Sequence, residues 1–160
     1  MAATEPQQKP VRLTTFNWHR HSDDVLSFQQ EIYETNFDDC TVDRRFIRDY
    51  AASLRDALRY DSEHLLVLER GDETVGFMWL SIMSTLVEPR LGYVKNIYVV
   101  PELRGKDYAR QMLDYADQWF VNRGCEKAAL DATCCNQRAV GLYDKCGYEV
   151  VRYRMEKMYD

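Results

Sequence analysis

Residues 96–110 are the segment that most constrains how this chain can fold. They read Asn-Ile-Tyr-Val-Val-Pro-Glu-Leu-Arg-Gly-Lys-Asp-Tyr-Ala-Arg, a β-rich run, a proline and a basic turn with glycine that opens into a helix pattern. The first N–H groups of a helix lack partners and its dipole is positive there, so such a turn favours a diphosphate. Arg104, Lys106 and Arg110 add positive charge at this turn, whereas Asp107 places a negative charge where an anion would lie.

The rest of the chain alternates between strand and helix patterns. The order β-αα-βββ-α-β-α-β, without repeat or linker, predicts a single α/β domain over residues 11–160, with a mixed central β-sheet flanked by helices. A loose polar tail is expected at residues 1–10. Ser22 is expected to cap the first helix. Of the last two predicted helices, one follows the basic turn and the other spans 137–145. The predicted strands are 11–16, 64–69, 74–85, 93–100, 127–134 and 148–158.

Charge and composition exclude several classes of protein. The formal net charge is -5, which gives little drive to bind nucleic acid or an anionic membrane surface. No run is apolar and long enough to span a bilayer, so a cytoplasmic location is expected. Five cysteines without a CxxC pattern favour free buried thiols over a nucleophile at Cys134 or Cys135 or a zinc site. His19 and His21 are expected in an exposed loop rather than on a metal.

Two motifs resemble those of the GNAT N-acetyltransferase superfamily. Val99, Pro101, Arg104 and Ala109 fit the pattern Val-x-Pro-x-x-(Arg/Gln)-x-x-Gly-x-(Gly/Ala). The second pattern is Asn-x-x-Ala-x-x-Leu-Tyr-x-x-x-Gly-(Phe/Tyr). It is matched by Asn136, Ala139, Leu142, Tyr143, Gly147 and Tyr148.

The resemblance implies transfer of an acetyl group from acetyl-CoA, as co-substrate, to an amine. It implies that the pantetheine arm lies along the fourth strand like an added strand, and that Tyr143 is the general acid that protonates the departing thiolate. Asn136 would hold the cofactor arm. Main-chain contacts to that arm are expected from Ile97, Tyr98 and Val99, and the diphosphate is expected on Arg104, Gly105, Lys106, Asp107, Tyr108, Ala109 and Arg110.

Asp107 departs from the family pattern, because it stands where the middle glycine is expected. Aspartate accepts a left-handed backbone better than most residues, so the turn can persist. Its carboxylate repels a diphosphate unless it points to solvent or pairs with Lys106 or Arg110. Three outcomes stay open: weakened cofactor affinity, a harmless outward-facing side chain, or loss of CoA binding.

Lys95 is the second departure, because many family members have a glutamate near this place that takes a proton from the attacking ammonium. A protonated lysine cannot do so. Lys95 either lies at the strand edge or reaches the acceptor and favours a substrate with a carboxylate or phosphate. The base must then come from Glu34, Asp38 or Asp39 in the acidic loop between the first two helices, or from ordered water.

The leading prediction is therefore an N-acetyltransferase that acts on a primary amine by direct attack in a ternary complex. The alternative is a non-catalytic acyl-CoA-binding module on the same fold, which the two departures keep open. The identity of the acceptor amine stays open, and so does the oligomeric state, for which a homodimer is one option.

Overall fold

The structure, a computed structural model, describes residues 9–160 and centres on one five-stranded sheet. Residues 1–8 of the predicted N-terminal tail lie outside the described part. The strands follow one another in space in chain order, β1 to β4 pairing antiparallel and β5 pairing parallel with β4. Their bounds are β1 Val11–Thr15, β2 Glu63–Arg70, β3 Glu73–Met83, β4 Leu91–Val99 and β5 Lys127–Ala129.

Helices cover both faces of the sheet. They are α1 Trp18–Asn36, α2 Arg44–Ala57, α3 Tyr108–Asn122 and α4 Gln137–Lys145. Because side chains alternate along a strand, each strand serves two separate cores. Val67 and Phe77 pack with Leu54 of α2 on one face, and Leu80 packs with Met112 of α3 on the other. This arrangement confirms the predicted α/β fold with a mixed sheet. No helix within residues 9–160 is long and apolar enough to cross a membrane.

The first helix begins earlier than predicted. Asn17 is its N-cap and accepts a hydrogen bond from the Arg20 N–H at 3.2 Å, so Ser22 is one turn inside the helix and buried. The expectation of loop histidines is also wrong, because His19 and His21 both lie in α1. His19 is exposed as expected, whereas His21 has only 3% of its surface exposed. Two cap-type residues, Asn17 and Ser22, stand near each other in the sequence, and burial of the later one decided which of them caps.

A buried carboxylate joins α1 to the sheet. Glu69 of β2 is 2% exposed, and its Oε1 lies 2.7 Å from His21 Nε2. His21 Nδ1 accepts the Asn17 N–H at 2.8 Å, so Nε2 carries the proton that is donated to Glu69. Arg12 and Arg20 also contact this carboxylate, at 3.1 and 2.8 Å. Burial alone would raise the pKa of Glu69, but hydrogen bonds from His21 and Arg12 and the charge of Arg20 lower it.

The end of the chain differs from the prediction. The strand expected at 148–158 is absent, since these residues have no strand pairing, and all residues from 149 to 160 are exposed. The strand expected at 127–134 is limited to Lys127–Ala129, which pairs with Leu91–Tyr93. Alternation of apolar and charged residues shows which side chains would share a face, but a strand also needs an edge to pair with. The observed order is therefore β-αα-βββ-α-β-α.

Candidate active site

The edge of β4 opens towards β5 partway along its length. β5 pairs with β4 only as far as Tyr93, and beyond that residue no strand of the described part pairs with this edge. A β-bulge lies next to the opening, because Trp79 is opposite Asn96 while Leu80 is opposite Val94, which leaves Lys95 unmatched. The two strands therefore part at residues 93–95, which we call the apex of the opening.

The free edge of β4 presents backbone groups at alternate residues. The Val100 N–H donates to the Val75 carbonyl of β3 at 3.0 Å, so the residues directly before it alternate between facing β3 and facing the opening. Ile97 and Val99 therefore direct their N–H and C=O groups to the opening. The backbone of Tyr98 faces β3 instead, and this corrects its predicted main-chain contact with the cofactor arm. Ile97 and Val99 keep a suitable orientation, but the Val99 carbonyl already accepts a hydrogen bond from Arg104 Nε at 2.9 Å.

The turn after β4 has the left-handed backbone that the family pattern requires. Gly105 has φ 74° and Asp107 has φ 65°, so the aspartate adopts the conformation that glycine takes more readily. The first hydrogen bond within α3 runs from the Gln111 N–H to the Asp107 carbonyl at 3.0 Å. The N–H groups of Tyr108, Ala109 and Arg110 consequently have no acceptor within the helix. The turn thus keeps the features of an anion site despite the substitution.

The charges around this turn are not distributed as the sequence suggested. Lys106, Asp107 and Arg110 are exposed, and among residues 9–160 Asp107 forms no ion pair with either cation. The guanidinium of Arg104 instead donates to Glu31 of α1 at 2.6 Å and to the Val99 carbonyl at 2.9 Å. The side chain of Arg104 therefore joins α1 to the end of β4, and only two cations remain free at the turn.

Glu31 also receives a second hydrogen bond, from the hydroxyl of Tyr98 at 2.6 Å. Partial burial alone would raise the pKa of Glu31, but hydrogen bonds from Tyr98 and Arg104 lower it. Burial, and then the Glu31 carboxylate, raise the pKa of Tyr98. The ring of Tyr98 stacks on Phe28 of α1 at 4.6 Å. This residue thus holds α1 against β4, a role that the sequence did not indicate.

The second motif lies on α4 and the loop before it. Asn136 caps α4 by accepting the Ala139 N–H at 3.3 Å, and its amide donates to Asn36 at the end of α1 at 3.2 Å. Tyr143 packs edge-on against Tyr148, with ring centroids 6.0 Å apart. Burial raises the pKa of Tyr143, so its hydroxyl keeps its proton at neutral pH and can act as a donor. Asn136 is therefore the N-cap of α4, and this fixes the start of the helix that carries Tyr143.

Lys95 contacts a carboxylate that sequence reasoning did not identify. Its Nζ lies 3.4 Å from Oε1 of Glu63 and 4.7 Å from the ring centroid of Trp79. Glu34 and Asp38, the acidic residues predicted for the acceptor site, are exposed near the end of α1, and neither is the ionic partner of Lys95. Nothing in the local sequence around Glu63 could have revealed it, because the pair forms across strands.

A further pair lies at the apex, where the hydroxyl of Tyr93 donates to the carboxylate of Asp131. Burial and the neighbouring carboxylate raise the pKa of Tyr93. This contact joins β4 to the segment after β5 at the point where the two strands separate. Sequence reasoning did not single out either residue.

All five cysteines are free thiols, as predicted, but the expectation that they are buried holds for Cys125 alone, and Cys134 and Cys135 are exposed. Within the part of the chain that the structure describes, no three His, Cys, Asp or Glu side chains are grouped so that they could hold a metal ion.

Comparison with known sequences identifies similar proteins over most of the chain. A sequence model of the Acetyltransferase (GNAT) family matches residues 22–148. A mycothiol acetyltransferase of Streptomyces bingchenggensis is 31% identical over 100 residues, which cover 62% of this chain and 31% of that protein. An acetyltransferase of Pectobacterium atrosepticum is 28% identical over 131 residues, which cover 80% and 89%. The match therefore spans about a third of the first relative and most of the second.

A solved structure has a similar fold over nearly the whole chain. The aminoglycoside N-acetyltransferase AAC(6′)-Iy in complex with CoA superposes with a TM-score of 0.75 at 15% identity. The superposition covers 97% of this chain and 98% of that one. At this identity the likeness concerns the fold alone.

Proposed function

Because the chain belongs to the GNAT family of acetyltransferases, we propose that it transfers an acetyl group from acetyl-CoA to a primary amine by direct attack in a ternary complex. One observation carries this proposal. The unpaired edge of β4, with Ile97 and Val99 facing the opening, leads directly into the left-handed turn and the open end of α3. An extended arm with an anionic end fits such a surface, because it can pair like a strand and end on helix N–H groups.

The order of these features gives the arm a direction. The turn that would hold the diphosphate follows the carboxyl end of β4, so the arm must run back along the strand towards the apex. Val99 and Lys95 are four positions apart in the sequence, which corresponds to about 13 Å of strand. The reactive thioester therefore lies nearest to the bulge, where an unpaired backbone N–H can stabilise the developing oxyanion.

Tyr143 acts as the general acid in this proposal. Its raised pKa keeps the hydroxyl protonated at neutral pH. As the amine nitrogen bonds to the acetyl carbon, the bond from that carbon to sulfur breaks and Tyr143 donates its proton to sulfur. The proton that the amine loses passes to ordered water or to a carboxylate at the end of α1. Asn136 holds the loop before α4 through its contact with Asn36. Lys106 and Arg110 supply positive charge for the diphosphate, while Arg104 supports the end of β4.

A non-catalytic acyl-CoA-binding module is the second candidate. It is favoured by Asp107, whose charge opposes the diphosphate, and by Lys95 at the place where many relatives have a glutamate. A thiol-release assay with acetyl-CoA and a panel of primary amines distinguishes the two. Transfer is supported if CoA is released in proportion to acetylated amine. Saturable acetyl-CoA binding without release from any amine would support the module.

Replacing Asp107 by glycine is expected to strengthen acetyl-CoA binding about fivefold. A unit charge about 4 Å from another contributes roughly 1 kcal/mol in water, which corresponds to this factor. Glycine also removes the strain of a side chain at φ 65°. Isothermal titration with acetyl-CoA measures the change directly.

Asp107→Asn is the matched control, because asparagine tolerates the same backbone but has no charge. If both variants tighten binding equally, the carboxylate is responsible. If only Asp107→Gly does so, the backbone strain is responsible. Equal dissociation constants for all three proteins would show that the aspartate points harmlessly to solvent.

A further inference from the structure

A small polar cluster lies on the α1 and α2 face of the sheet, beside the apex. It consists of Glu63, Trp79, Ser81 and Lys95, which we call the Glu63 cluster. Glu63 lies opposite Ser81 in the pairing of β2 with β3, and Trp79 is the residue of β3 at the bulge. The Glu63 side chain is 15% exposed, whereas that of Lys95 is 37% exposed and closes the cluster towards solvent.

Two neutral donors hold the carboxylate in place. Trp79 Nε1 donates to Oε2 at 2.6 Å and Ser81 Oγ donates to Oε1 at 2.8 Å. Trp79 is itself only 6% exposed, so its indole is fixed by the surrounding core. The negative carboxylate and the electron-rich face of the indole ring both lie next to one position, the one that Lys95 Nζ occupies. This combination is one that binds an alkylammonium group.

The occupant of that position is the ammonium of Lys95, and it is held loosely. Its Nζ lies 3.4 and 3.5 Å from the two carboxylate oxygens, longer than the roughly 2.7–2.9 Å of a well-formed charged hydrogen bond. A half-exposed ion pair of this kind contributes little to stability. Its side chain is long and borders solvent, so another primary ammonium can replace it without disturbing the sheet.

We propose that the Glu63 carboxylate and the Trp79 indole form the binding subsite for the primary ammonium of the acceptor, and that Lys95 occupies it in the free protein. The assignment of this subsite to the acceptor site rests on the proposed function, because that function puts the thioester at the apex, next to Lys95. Glu63 and Trp79 then recognise the cationic end of the acceptor. Lys95 competes with weakly bound amines and leaves when a better-fitting amine arrives.

The proposal predicts a direct binding signal from a simple amine. n-Hexylammonium chloride, titrated into the protein without acetyl-CoA, is expected to shift the ¹H–¹⁵N resonance of the Trp79 indole, which donates to Glu63. The indole of Trp119, which belongs to α3 and to the core on the other face of the sheet, provides the internal reference. n-Hexanol is the matched control ligand, because it has the same chain without the charge, and it should not produce the shift.

Two variants test the cluster itself. Glu63→Gln keeps a carbonyl acceptor for the Trp79 N–H and turns its NH2 group to Ser81 Oγ, which can accept. It removes the charge, so the dissociation constant for hexylammonium is expected to rise at least tenfold. Lys95→Met removes the competing ammonium and keeps an apolar chain beside Trp79, so the constant is expected to fall roughly two- to fivefold. Because Lys95 is partly exposed, this second variant remains informative if Glu63→Gln fails to fold.

Three results would overturn the proposal: no shift of the Trp79 resonance at saturating amine, equal binding by Glu63→Gln and the parent chain, or weaker binding by Lys95→Met. The thiol-release assay tests the proposed acetyl transfer separately from the amine subsite. Amine binding at the cluster without CoA release would leave the subsite standing and count against transfer. CoA release with the same KM for the amine in Glu63→Gln would support transfer and reject the subsite.

Discussion

Tyr143→Phe is expected to lower kcat about 100-fold and to leave the dissociation constant for acetyl-CoA nearly unchanged. A positioned general acid contributes roughly 10²–10⁴-fold to rate. A thiolate is only a modest base, so its departure needs less help from an acid and we expect an effect at the lower end of that range. Burial keeps the phenol protonated, so the parent enzyme has its proton available at neutral pH. The phenylalanine ring retains the packing against Tyr148 and removes only the donor.

Steady-state kinetics with saturating acetyl-CoA measure the rate, and titration measures the affinity. Tyr148→Phe is the matched control, since its hydroxyl is buried without a hydrogen-bond partner among residues 9–160 and its ring lies 6.0 Å from that of Tyr143. Burial raises the pKa of Tyr148 to about 12, so the control removes a neutral hydroxyl as well. We expect the control to keep parental turnover. A Tyr143→Phe rate within twofold of the parent would remove this residue from the proposed mechanism.

Glu69→Ala is expected to lower the free energy of unfolding by about 3 kcal/mol, the lower end of the range for breaking a buried ion pair. The alanine leaves His21 with a buried N–H that has no acceptor. Arg12 and Arg20 are 70% and 56% exposed, so they can return to water, and this keeps the loss at the lower end. Such a loss is a large part of the roughly 5–15 kcal/mol that stabilises an ordinary domain. Urea unfolding at pH 7 provides the measurement.

The pH dependence of Glu69→Gln separates the charge from the shape of the side chain. The pKa of Glu69 is lowered on folding, so its charge stabilises the protein above the unfolded pKa of about 4.3 and this contribution is lost as pH falls through the folded pKa. The parent chain should therefore be more stable than Glu69→Gln at pH 7, and the difference should shrink below about pH 4. A difference that is constant between pH 7 and pH 3.5 would contradict this role of the charge.

Patterns of local origin were predicted well. The predicted bounds of α4, 137–145, match the observed helix because they follow from periodicity and local capping signals. The left-handed backbone of Asp107 likewise follows from its place in the motif. Predictions were wrong where two local signals competed or where a partner was needed. Asn17 rather than Ser22 caps α1, and the last predicted strand has no edge to pair with.

Side-chain partners at the candidate site were the least predictable feature. Arg104 was expected to face an anion, but it contacts Glu31, which is 73 positions away in the sequence. Lys95 contacts Glu63 at a separation of 32 positions. Periodicity shows on which face of an element a residue lies, but not which residue of another element stands opposite. An open edge on β4 was implied by the resemblance, but the residue at which it opens was not, because that depends on where β5 stops pairing.

The sequence by itself determined the strand, turn and helix around residues 96–110 and the family to which the chain belongs, because both depend on residues that are close together. Only the tertiary structure decided what the charged residues of that segment do. A bulge at Lys95 and the parting of β4 from β5 set which backbone groups remain free and which side chains meet. These outcomes depend on the register between strands that are distant in the sequence. A shift of that register by one residue would move every side chain of the strand to the opposite face of the sheet.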